Sequence, residues 1–401
     1  MDRVILHSDL NSFFASVECV LNPTLKDYPT AVCGDPDRRH GIILAKNEKA
    51  KKFGVATAET IWSAKQKCPN LVLVPPHHDL YEKYSREVNE IYREYTELVE
   101  PFGIDESWLD VSGSEKLFGD GKTIAETLRE RIKRETGLTV SVGVSFNKTF
   151  AKLGSDLKKP DAVSVIDREH FKEIVWKLPA RDLLYVGKSA AKVLADMRIK
   201  TIGEIATTSP DFLEYKLGKL GRMLYDYANG NDDDPVRSIY DERQVKSVGN
   251  GMTFSRDLYG MEDIVQGLDA VCDLAAARMR AKHLKCTTVQ LSIKDENFVT
   301  VQRQAPLENP TYLARELRAA ATALLRSSWN PRLGIRALTV TGIGLVGEDA
   351  AEQIGFFDDV KNDEKAEKRE RVMDDIRKKY GHGAIKSAGV LANNIGIDRE
   401  D

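Results

Sequence analysis

The sequence has few cysteines, and none is placed to form a familiar cysteine-based site. The five cysteines among the 401 residues are scattered and never occur as Cys-x-x-Cys. Structural zinc sites need closely spaced cysteines, and disulfide frameworks need paired ones. The pattern therefore excludes both and predicts reduced thiols in a cytosolic protein.

Long apolar runs are also missing. The longest apolar stretches fall well short of the roughly 18 residues that a membrane helix needs, and the N-terminus has no charged-then-apolar signal pattern. Basic residues are not in excess either, because the net charge is −3 at pH 7. Composition predicts a soluble protein without a membrane partner. It permits a local basic groove for nucleic acid but does not demonstrate one.

The length is sufficient for about two to four domains. Up to about residue 165, segments with strand spacing alternate with segments with helical spacing, such as residues 80–98 and 122–135. This order predicts an α+β sheet with helices on one face.

The later part of the chain has a different pattern. Residues 167–232 have helical spacing and predict a helical domain. Residues 246–345 alternate, with helices expected over 264–284 and 312–325 and strands over 288–293, 298–304 and 335–345. That order predicts a small α/β domain with one open sheet face. A further amphipathic helix is expected over residues 361–380.

An adjacent pair of acids, Asp105 and Glu106, gives the first indication of function. Apolar residues on both sides predict a strand, a tight bend and a second strand. Neighbouring carboxylates repel each other, and a divalent cation would stabilise them. For the pair alone, a solvated hairpin tip is the simpler interpretation. A third acid, Asp9, ends the first apolar run, and pairing of that strand with the hairpin would bring all three acids together.

Three such oxygen donors suit Mg²⁺, and a pair of ions could clamp the attacking and leaving oxygens of a phosphoryl transfer. The interpretation has one geometric condition. Successive strand residues point to opposite faces, so Asp105 and Glu106 can serve one site only if the backbone turns or bulges there.

Lysines cluster at two places that would suit phosphate. Four lie within residues 46–52, and the strand and helix over residues 141–160 carry lysines that recur up to Lys159. A lysine-rich helix face is commonly only a solvated surface. Beside a metal site, it would suit the phosphates of a nucleotide.

In combination, these residues resemble the Y family of DNA polymerases and, within it, the DNA polymerase IV branch. The motifs that match in order and spacing are Asp9 with Phe13-Phe14, Asp105-Glu106-Ser-x-Leu-Asp, and Asn147-Lys148, Ala151-Lys152 and Lys159-Pro160. The resemblance covers nearly the whole chain. It implies a right-hand polymerase of the α+β multidomain class, with palm, fingers, thumb and little finger domains.

The resemblance also implies domain boundaries. The palm would comprise residues 1–10 and 78–166, the fingers 11–77, the helix-hairpin-helix-like thumb 167–232, the linker 233–245, the little finger 246–345 and a C-terminal tail 346–401. One segment of the tail resembles the peptide by which family members bind the sliding clamp, with the anchors Gln353, Ile354, Phe356 and Phe357. An intramolecular anchor is the alternative for these residues.

Individual roles follow from the resemblance. Asp9, Asp105 and Glu106 would be catalytic and would hold two Mg²⁺ ions, with the Leu10 carbonyl assisting. Phe14 would be the steric gate beneath the incoming sugar, where a ring excludes a 2′-hydroxyl; simple core packing is the alternative. Nucleotide contacts are expected from Phe13, Phe14, Lys51 and Lys159. DNA contacts are expected from Gly187, Lys188, Lys246, Arg256, Lys294, Arg303, Arg332 and Arg336.

Two departures from the family pattern concern nucleotide binding. Glu48 and Lys51 stand where many members have Tyr and Arg, and lysine lacks the planar bidentate contact of arginine. Ile42 and Leu44 replace smaller residues that often lie over the nascent base pair. These changes bear on nucleotide affinity and lesion tolerance rather than on the basic chemistry.

The expected function is template-directed DNA synthesis of the translesion type, in which dNTPs are added to a primer 3′-hydroxyl and damaged template bases are bypassed. The expected partners are primer–template DNA, dNTP and a sliding clamp. The protein is expected to be a monomer in the bacterial cytoplasm that works on nucleoid DNA. The alternatives are a non-catalytic adaptor of the same architecture, which would lack the carboxylates, and a nucleotide cyclase, which would need no template.

Overall fold

The computed structural model describes residues 3–35, 41–241, 244–330, 332–350, 360–385 and 395–396. The chain divides into two compact units, one holding the described residues up to 241 and the other those from 244 onward. Among these residues, every helix is too short or too polar to cross a membrane.

The first unit is built on a five-stranded and a three-stranded sheet. Its strands are β1 (Ile5–Leu10), β2 (Thr30–Cys33), β3 (Ile43–Lys46), β4 (Val72–Val74), β5 (Val99–Pro101), β6 (Glu106–Asp110), β7 (Val140–Ser145) and β8 (Val163–Ile166). Its helices are α1 (Phe13–Leu21), α2 (Glu48–Lys52), α3 (Ile61–Lys67), α4 (His78–Arg93), α5 (Glu115–Phe118), α6 (Gly121–Thr136), α7 (Lys148–Leu157), α8 (Phe171–Val175), α9 (Lys188–Asp196), α10 (Ile202–Thr207), α11 (Pro210–Leu217) and α12 (Lys219–Ala228).

The five-stranded sheet has the order β5-β6-β1-β7-β8, with β1 antiparallel to both of its neighbours. Helices α4 and α6 cover one face, where Leu6, Leu109 and Leu128 share an apolar core. Helix α7 packs on the opposite face, beside Ile5 and Trp108. The expectation of helices on one face only is therefore wrong, because β1 and β7 are buried on both faces.

Helix α7 approaches the sheet closely because Gly143 of β7 has no side chain. A Cβ at this position would lie 1.9 Å from the carbonyl oxygen of Ala151 and 2.4 Å from the backbone nitrogen of Ser155. Any larger residue would push α7 away from the sheet. Since α7 also carries Lys152, Gly143 helps to fix that side chain relative to the strands.

The rest of the first unit forms two smaller cores. The three-stranded sheet, in the order β3-β2-β4, packs around Ile43 and Leu71. Helices α8–α12 form a layer with its own core, which includes Leu194, Ile202 and Leu224. The helical periodicity of residues 167–232 is thus confirmed.

The second unit contains β9 (Ser247–Leu258), α13 (Gly260–Ala281), β10 (Leu284–Asp295), β11 (Thr300–Thr311), α14 (Ala314–Ser328), β12 (Ile335–Gly347) and α15 (Val360–Tyr380). Its antiparallel sheet has the order β11-β10-β12-β9, and α13 and α14 pack on one face around Leu268, Leu291 and Leu325. The expected order from α13 to β12 is confirmed, including the β10–β11 hairpin, but β9 is a strand that was not predicted. Strands β10, β11 and β12 are longer than predicted. Their outward-facing residues are polar, so the apolar pattern that was used to delimit them covers only part of each strand.

Candidate active site

Three acidic residues meet at one end of the central sheet. Asp9 of β1 lies directly opposite Glu106, the first residue of β6, in the antiparallel register. The backbone N–H of Leu10 donates a hydrogen bond to the carbonyl oxygen of Asp105 at 2.9 Å. Since cross-strand partners share a face, Asp9 and Glu106 point to the same side of the sheet. The predicted convergence of the three acids is confirmed.

The geometric condition on the adjacent acids is met because Asp105 lies in the bend of the hairpin. The N–H groups of Phe102 and Gly103 donate to the carbonyl oxygen of Glu106 at 2.9 and 3.3 Å and close this bend. Strand β6 begins only at Glu106. The alternation of strand faces therefore does not apply to Asp105.

Two lysines lie among these carboxylates. Lys152 Nζ is 2.7 Å from Glu106 Oε2 and 3.3 Å from Asp9 Oδ2. Lys159 Nζ is 2.8 Å from Asp9 Oδ1. Asp156 contacts both ammonium groups, at 3.5 Å from Lys152 and 2.8 Å from Lys159. The site therefore combines an anionic cluster with two cations that are paired to it.

These charges shift the pKa values of the two adjacent acids in opposite directions. Burial, together with repulsion from Asp9 and Glu106, raises the pKa of Asp105. Burial also acts to raise the pKa of Glu106, but His7 and Lys152 outweigh it and lower that pKa to about 2. Glu106 is therefore an anion at neutral pH, and Asp105 is the acid whose ionised form gains more from an additional cation.

Lys152 and Lys159 also contact oxygen atoms that a metal ion would need as ligands. They contact three oxygen atoms of Asp9 and Glu106. In the described ranges, no three Asp, Glu, His or Cys side chains already stand in an arrangement that would hold a metal ion. Rotation of the long lysine side chains would free the oxygens without moving the backbone. The donors themselves are the hard oxygen atoms that Mg²⁺ prefers.

His7 lies behind Glu106 and is 0% exposed. Its Nδ1 is 2.9 Å from Ser155 Oγ, and its Nε2 is 3.4 Å from Glu106 Oε2. Burial lowers the pKa of His7. The ring thus fills the space between β1 and α7 and supports the Glu106 side chain.

Sequence reasoning did not include His7 and Lys152 among the site residues. His7 precedes Asp9 by two positions, so strand periodicity alone places both on one face. Lys152 belongs to the motif that carries the family resemblance, but the pattern gives it no role distinct from that of the other lysines in this helix. Its neighbour Lys148, one turn earlier, instead forms a buried pair with Glu100 at 2.8 Å. The direction in which α7 packs distinguishes the two lysines, and the sequence does not contain that information.

Phe13 and Phe14 begin α1 and have different environments. Phe13 is 3% exposed and packs in the core. Phe14 is half-buried, and its ring stacks on Tyr81 with centroids 4.1 Å apart and planes 11° from parallel. The Tyr81 hydroxyl donates to Glu18 Oε1, which also lies 2.8 Å from His77 Nδ1. The burial of Phe13 speaks against the nucleotide contact expected from it, whereas Phe14 keeps a partly exposed ring.

Lys51 lies on the short helix α2, in the smaller sheet region. Its Nζ is 3.6 Å from Glu48 Oε1, and both side chains are about half exposed. The two residues that depart from the family pattern thus neutralise each other in part. Ile42 forms an isolated bridge with Thr60 and is 36% exposed, and Leu44 in β3 is half-buried.

Gly187 and Lys188 lie at an exposed helix start. Gly187 is the N-cap residue of α9, and Lys188 is the first residue of that helix. The preceding turn includes Tyr185 at φ +69°. Helices α9 and α10 are joined by a short connection, as the helix-hairpin-helix-like pattern predicts.

The basic residues of the second unit do not share one face. Lys294 pairs with Thr300 on the sheet face away from the helices, in a shallow polar depression that also includes Ser292 and Thr339. Arg303 pairs with the core residue Leu291 and therefore belongs to the helix side. The strand register thus directs Lys294 and Arg303 to opposite faces of the sheet.

The remaining basic residues differ in their surroundings. Arg256 makes a bidentate contact with Asp263 at 2.6 and 3.0 Å, and the Arg336 guanidinium lies 4.7 Å from the Phe298 ring centroid. Lys246 and Arg332 are exposed. The residues predicted to bind a clamp lie outside the described residues: Gln353, Ile354, Phe356 and Phe357.

Comparison with known proteins agrees with this geometry. Residues 8–156 match the impB/mucB/samB family, and residues 245–356 match its C-terminal domain. The chain is 48% identical to the DNA polymerase IV of Acetivibrio thermocellus, with 100% of both chains covered. It is 37% identical to the DNA polymerase IV of Clostridium kluyveri, over 98% of this chain and 99% of that protein.

Among solved structures, a Y-family DNA polymerase chimera of Dbh and Dpo4 matches with a TM-score of 0.76 at 24% identity, over 86% of this chain and 99% of that one. The fold is accordingly that of a right-hand polymerase with palm, fingers, thumb and little finger. The chain belongs to the Y family of DNA polymerases, in its DNA polymerase IV branch.

Proposed function

We propose that the chain extends a primer by template-directed DNA synthesis of the translesion type, with the chemistry centred on Asp9, Asp105 and Glu106. The observation that supports this most strongly is the convergence of these three acids, from strand β1 and from the β5–β6 hairpin, beside Lys152 and Lys159. In the reaction, the primer 3′-oxygen attacks the α-phosphorus of the dNTP, and pyrophosphate leaves.

The carboxylates of Asp9, Asp105 and Glu106 would hold two Mg²⁺ ions, with the Leu10 carbonyl as a further oxygen ligand. When bound, such ions supply stabilisation of the charge that develops on the attacking and leaving oxygens. The chain itself must keep the acids ionised. Lys152 contributes to this, since it lowers the pKa of Glu106.

Lys159 is proposed to bind the triphosphate. It is joined to Asp9 and Asp156, which raise its pKa despite the opposing effect of burial, so it remains a cation. Lys51 would contribute a second, more exposed charge. Phe14 would exclude ribonucleotides by contact with the sugar, with Tyr81 fixing the plane of its ring.

The domain assignment is part of the same proposal. The palm would be residues 1–10 and 78–166, the fingers 11–77, the thumb 167–232, the linker 233–245, the little finger 246–345 and the tail 346–401. The five-stranded sheet, the three-stranded sheet, the α8–α12 layer and the second unit support these divisions. We also propose that the chain bypasses damaged template bases and that it is a monomer in the bacterial cytoplasm. It would bind a sliding clamp through Gln353–Phe357.

Primer–template DNA would contact the thumb at Gly187 and Lys188 and the little finger on its open sheet face. Lys294 and its hydroxyl-bearing neighbours on that face support this, because hydroxyls and lysines are suitable phosphate partners. Exposed Lys246 and Arg332 could add phosphate contacts. Arg256, Arg336 and Arg303 are weaker candidates, because the first two have other contacts and the third lies on the helix side.

Primer extension by charge-removing variants tests the proposal. Asp105→Asn and Glu106→Gln should each lower the extension rate at least about 100-fold while primer–template binding is retained, because they remove charge needed at the reacting phosphate. Asp110→Asn, at the other end of β6, is the matched control and should extend normally. Normal extension by either site variant would contradict the proposal.

A further inference from the structure

Lys159 lies in a short loop between α7 and β8 rather than on a regular element. The loop contains Asp161, whose φ of +56° places it in the left-handed region. A non-glycine residue in that region is held there by its surroundings, at some cost in conformational energy. The contacts that hold Asp161 therefore also fix the backbone two residues after Lys159.

The Asp161 carboxylate is held by two cations of α6. Arg129 Nη1 donates to Oδ1 and Lys133 Nζ donates to Oδ2, each at 2.8 Å. Arg129 and Lys133 are four positions apart and so lie on the same helix face. Helix α6 is itself anchored in the palm core through Ile124 and Leu128, which are 0% exposed. A rigid element thus fixes one side of the loop.

The backbone of Asp161 is held by Asn11, which directly follows β1. The N–H of Asp161 donates to Asn11 Oδ1 at 2.8 Å, and Asn11 Nδ2 donates to Ser141 Oγ at 2.8 Å. Asn11 is 7% exposed and lies two residues after Asp9. One buried amide therefore links the strand that carries Asp9 to the loop that carries Lys159.

We propose that Asn11 and Asp161 are positioning residues for Lys159 and that they set the affinity for the triphosphate of the incoming dNTP. The inference rests on the proposed role of Lys159. The ammonium group must bind Asp9 in one arrangement and the triphosphate in another, and a fixed loop limits the conformational entropy lost in that contact. Arg129 and Lys133 act through Asp161 and do not touch the nucleotide.

A merely structural role for the Asp161 contacts would have a different consequence. Helix α6 carries another ion pair, in which Arg131 contacts both oxygens of Glu94 at 2.6 and 2.8 Å. That pair does not involve the Lys159 loop. Removing it would affect stability but not nucleotide binding, so Glu94→Gln is the matched control.

The test measures the dNTP concentration dependence of single-nucleotide insertion for Asp161→Asn, Asn11→Ala, Lys159→Ala and the double variant Asp161→Asn with Lys159→Ala. Asparagine tolerates a positive φ, so Asp161→Asn removes the ion pairs without new backbone strain. We expect Asp161→Asn to raise the KM for dNTP about fivefold, the factor that ~1 kcal/mol represents, with kcat within about twofold of the parent. Asn11→Ala should shift KM in the same direction, and Glu94→Gln should leave both parameters unchanged.

The double variant decides whether Asp161 acts through Lys159. If it does, Asp161→Asn should have no effect on KM in the Lys159→Ala background. If Asp161→Asn changed KM equally in both backgrounds, or left KM unchanged by itself, this inference would be overturned while the proposed role of Lys159 would stand. An unchanged KM in Lys159→Ala would remove the proposed role of Lys159 as well, so the two failures are distinguishable.

Discussion

The ring of Phe14 stacks on the ring of Tyr81, with centroids 4.1 Å apart and planes 11° from parallel. Tyr81 is 0% exposed, and its hydroxyl is bound to the buried carboxylate of Glu18. Burial and this carboxylate raise the pKa of Tyr81, so the hydroxyl remains a donor. Stacking on the buried Tyr81 ring therefore restricts the orientation of the half-buried Phe14 ring.

Replacing Phe14 should weaken the discrimination between dNTPs and rNTPs. Phe14→Ala removes the ring that would clash with a 2′-hydroxyl, and we expect the preference for dNTPs to fall roughly 10- to 200-fold. Insertion kinetics with matched dNTP and rNTP pairs measure this. Phe13→Leu is the control, since Phe13 lies in the core; it should lower stability but preserve the preference. Unchanged discrimination in Phe14→Ala would refute the steric-gate assignment.

Lys152 should stabilise the protein when divalent ions are withheld. Lys152→Met leaves Asp9 and Glu106 facing each other with one fewer cation, so we expect the free energy of unfolding to fall by about 1–3 kcal/mol. Added MgCl₂ should stabilise the variant more than the parent, because a ligand that binds only the folded state shifts the equilibrium. Urea unfolding with and without MgCl₂ measures both effects. Lys158→Met is the exposed control, and equal Mg²⁺ effects in variant and parent would contradict the prediction.

Much of the fold could be predicted because local periodicity determines it. The spacing over residues 122–135 corresponds to α6, which begins at Gly121 and ends at Thr136, and Gly137 follows at φ +75° as a helix-ending residue. The helix expected over residues 80–98 ends at Arg93, because the chain must turn into β5 at Val99. Periodicity does not record such tertiary requirements.

The site was predictable only in part. The acids stand out because an adjacent acidic pair lies between apolar segments and a third acid ends the first apolar run, and their register follows once β1 pairs with β6. The burial of Phe13, the two directions of Lys148 and Lys152 and the split of Lys294 from Arg303 between sheet faces depend on packing and register over long sequence distances. A single sequence does not show which residues far apart along the chain pack against each other.

Lys148 and Glu100 form a buried ion pair that should behave differently from the surface pairs. Nζ and Oε2 are 2.8 Å apart, both side chains are 8% exposed, and Nζ lies 4.7 Å from the Trp108 ring centroid. Lys148→Met removes the cation that lies 2.8 Å from this buried carboxylate and should lower the free energy of unfolding by about 3 kcal/mol. Adding Glu100→Gln should recover part of the loss in urea unfolding. A single variant as stable as the parent would contradict this.

The Asp161 ion pairs should make stability depend on pH in a defined window. Burial acts to raise the pKa of Asp161, but Lys133 and Arg129 outweigh it and lower that pKa. A lowered carboxyl pKa gives stabilisation that is complete above the unfolded value of about 3.9 and is lost as the pH falls through the folded value. The stability difference between the parent and Asp161→Asn should therefore be constant from about pH 5 to 8 and shrink below pH 4. A difference that grows on acidification would contradict the ion pairing.

Counting bound ions tests the central claim most directly. Mn²⁺ would be titrated by electron paramagnetic resonance into the complex of the protein with a dideoxy-terminated primer–template and the next dNTP. The account predicts about two ions per parent complex, as expected for a pair that clamps both reacting oxygens, and fewer in Asp9→Asn, Asp105→Asn and Glu106→Gln. Equal ion counts and affinities in the parent and all three variants would contradict it.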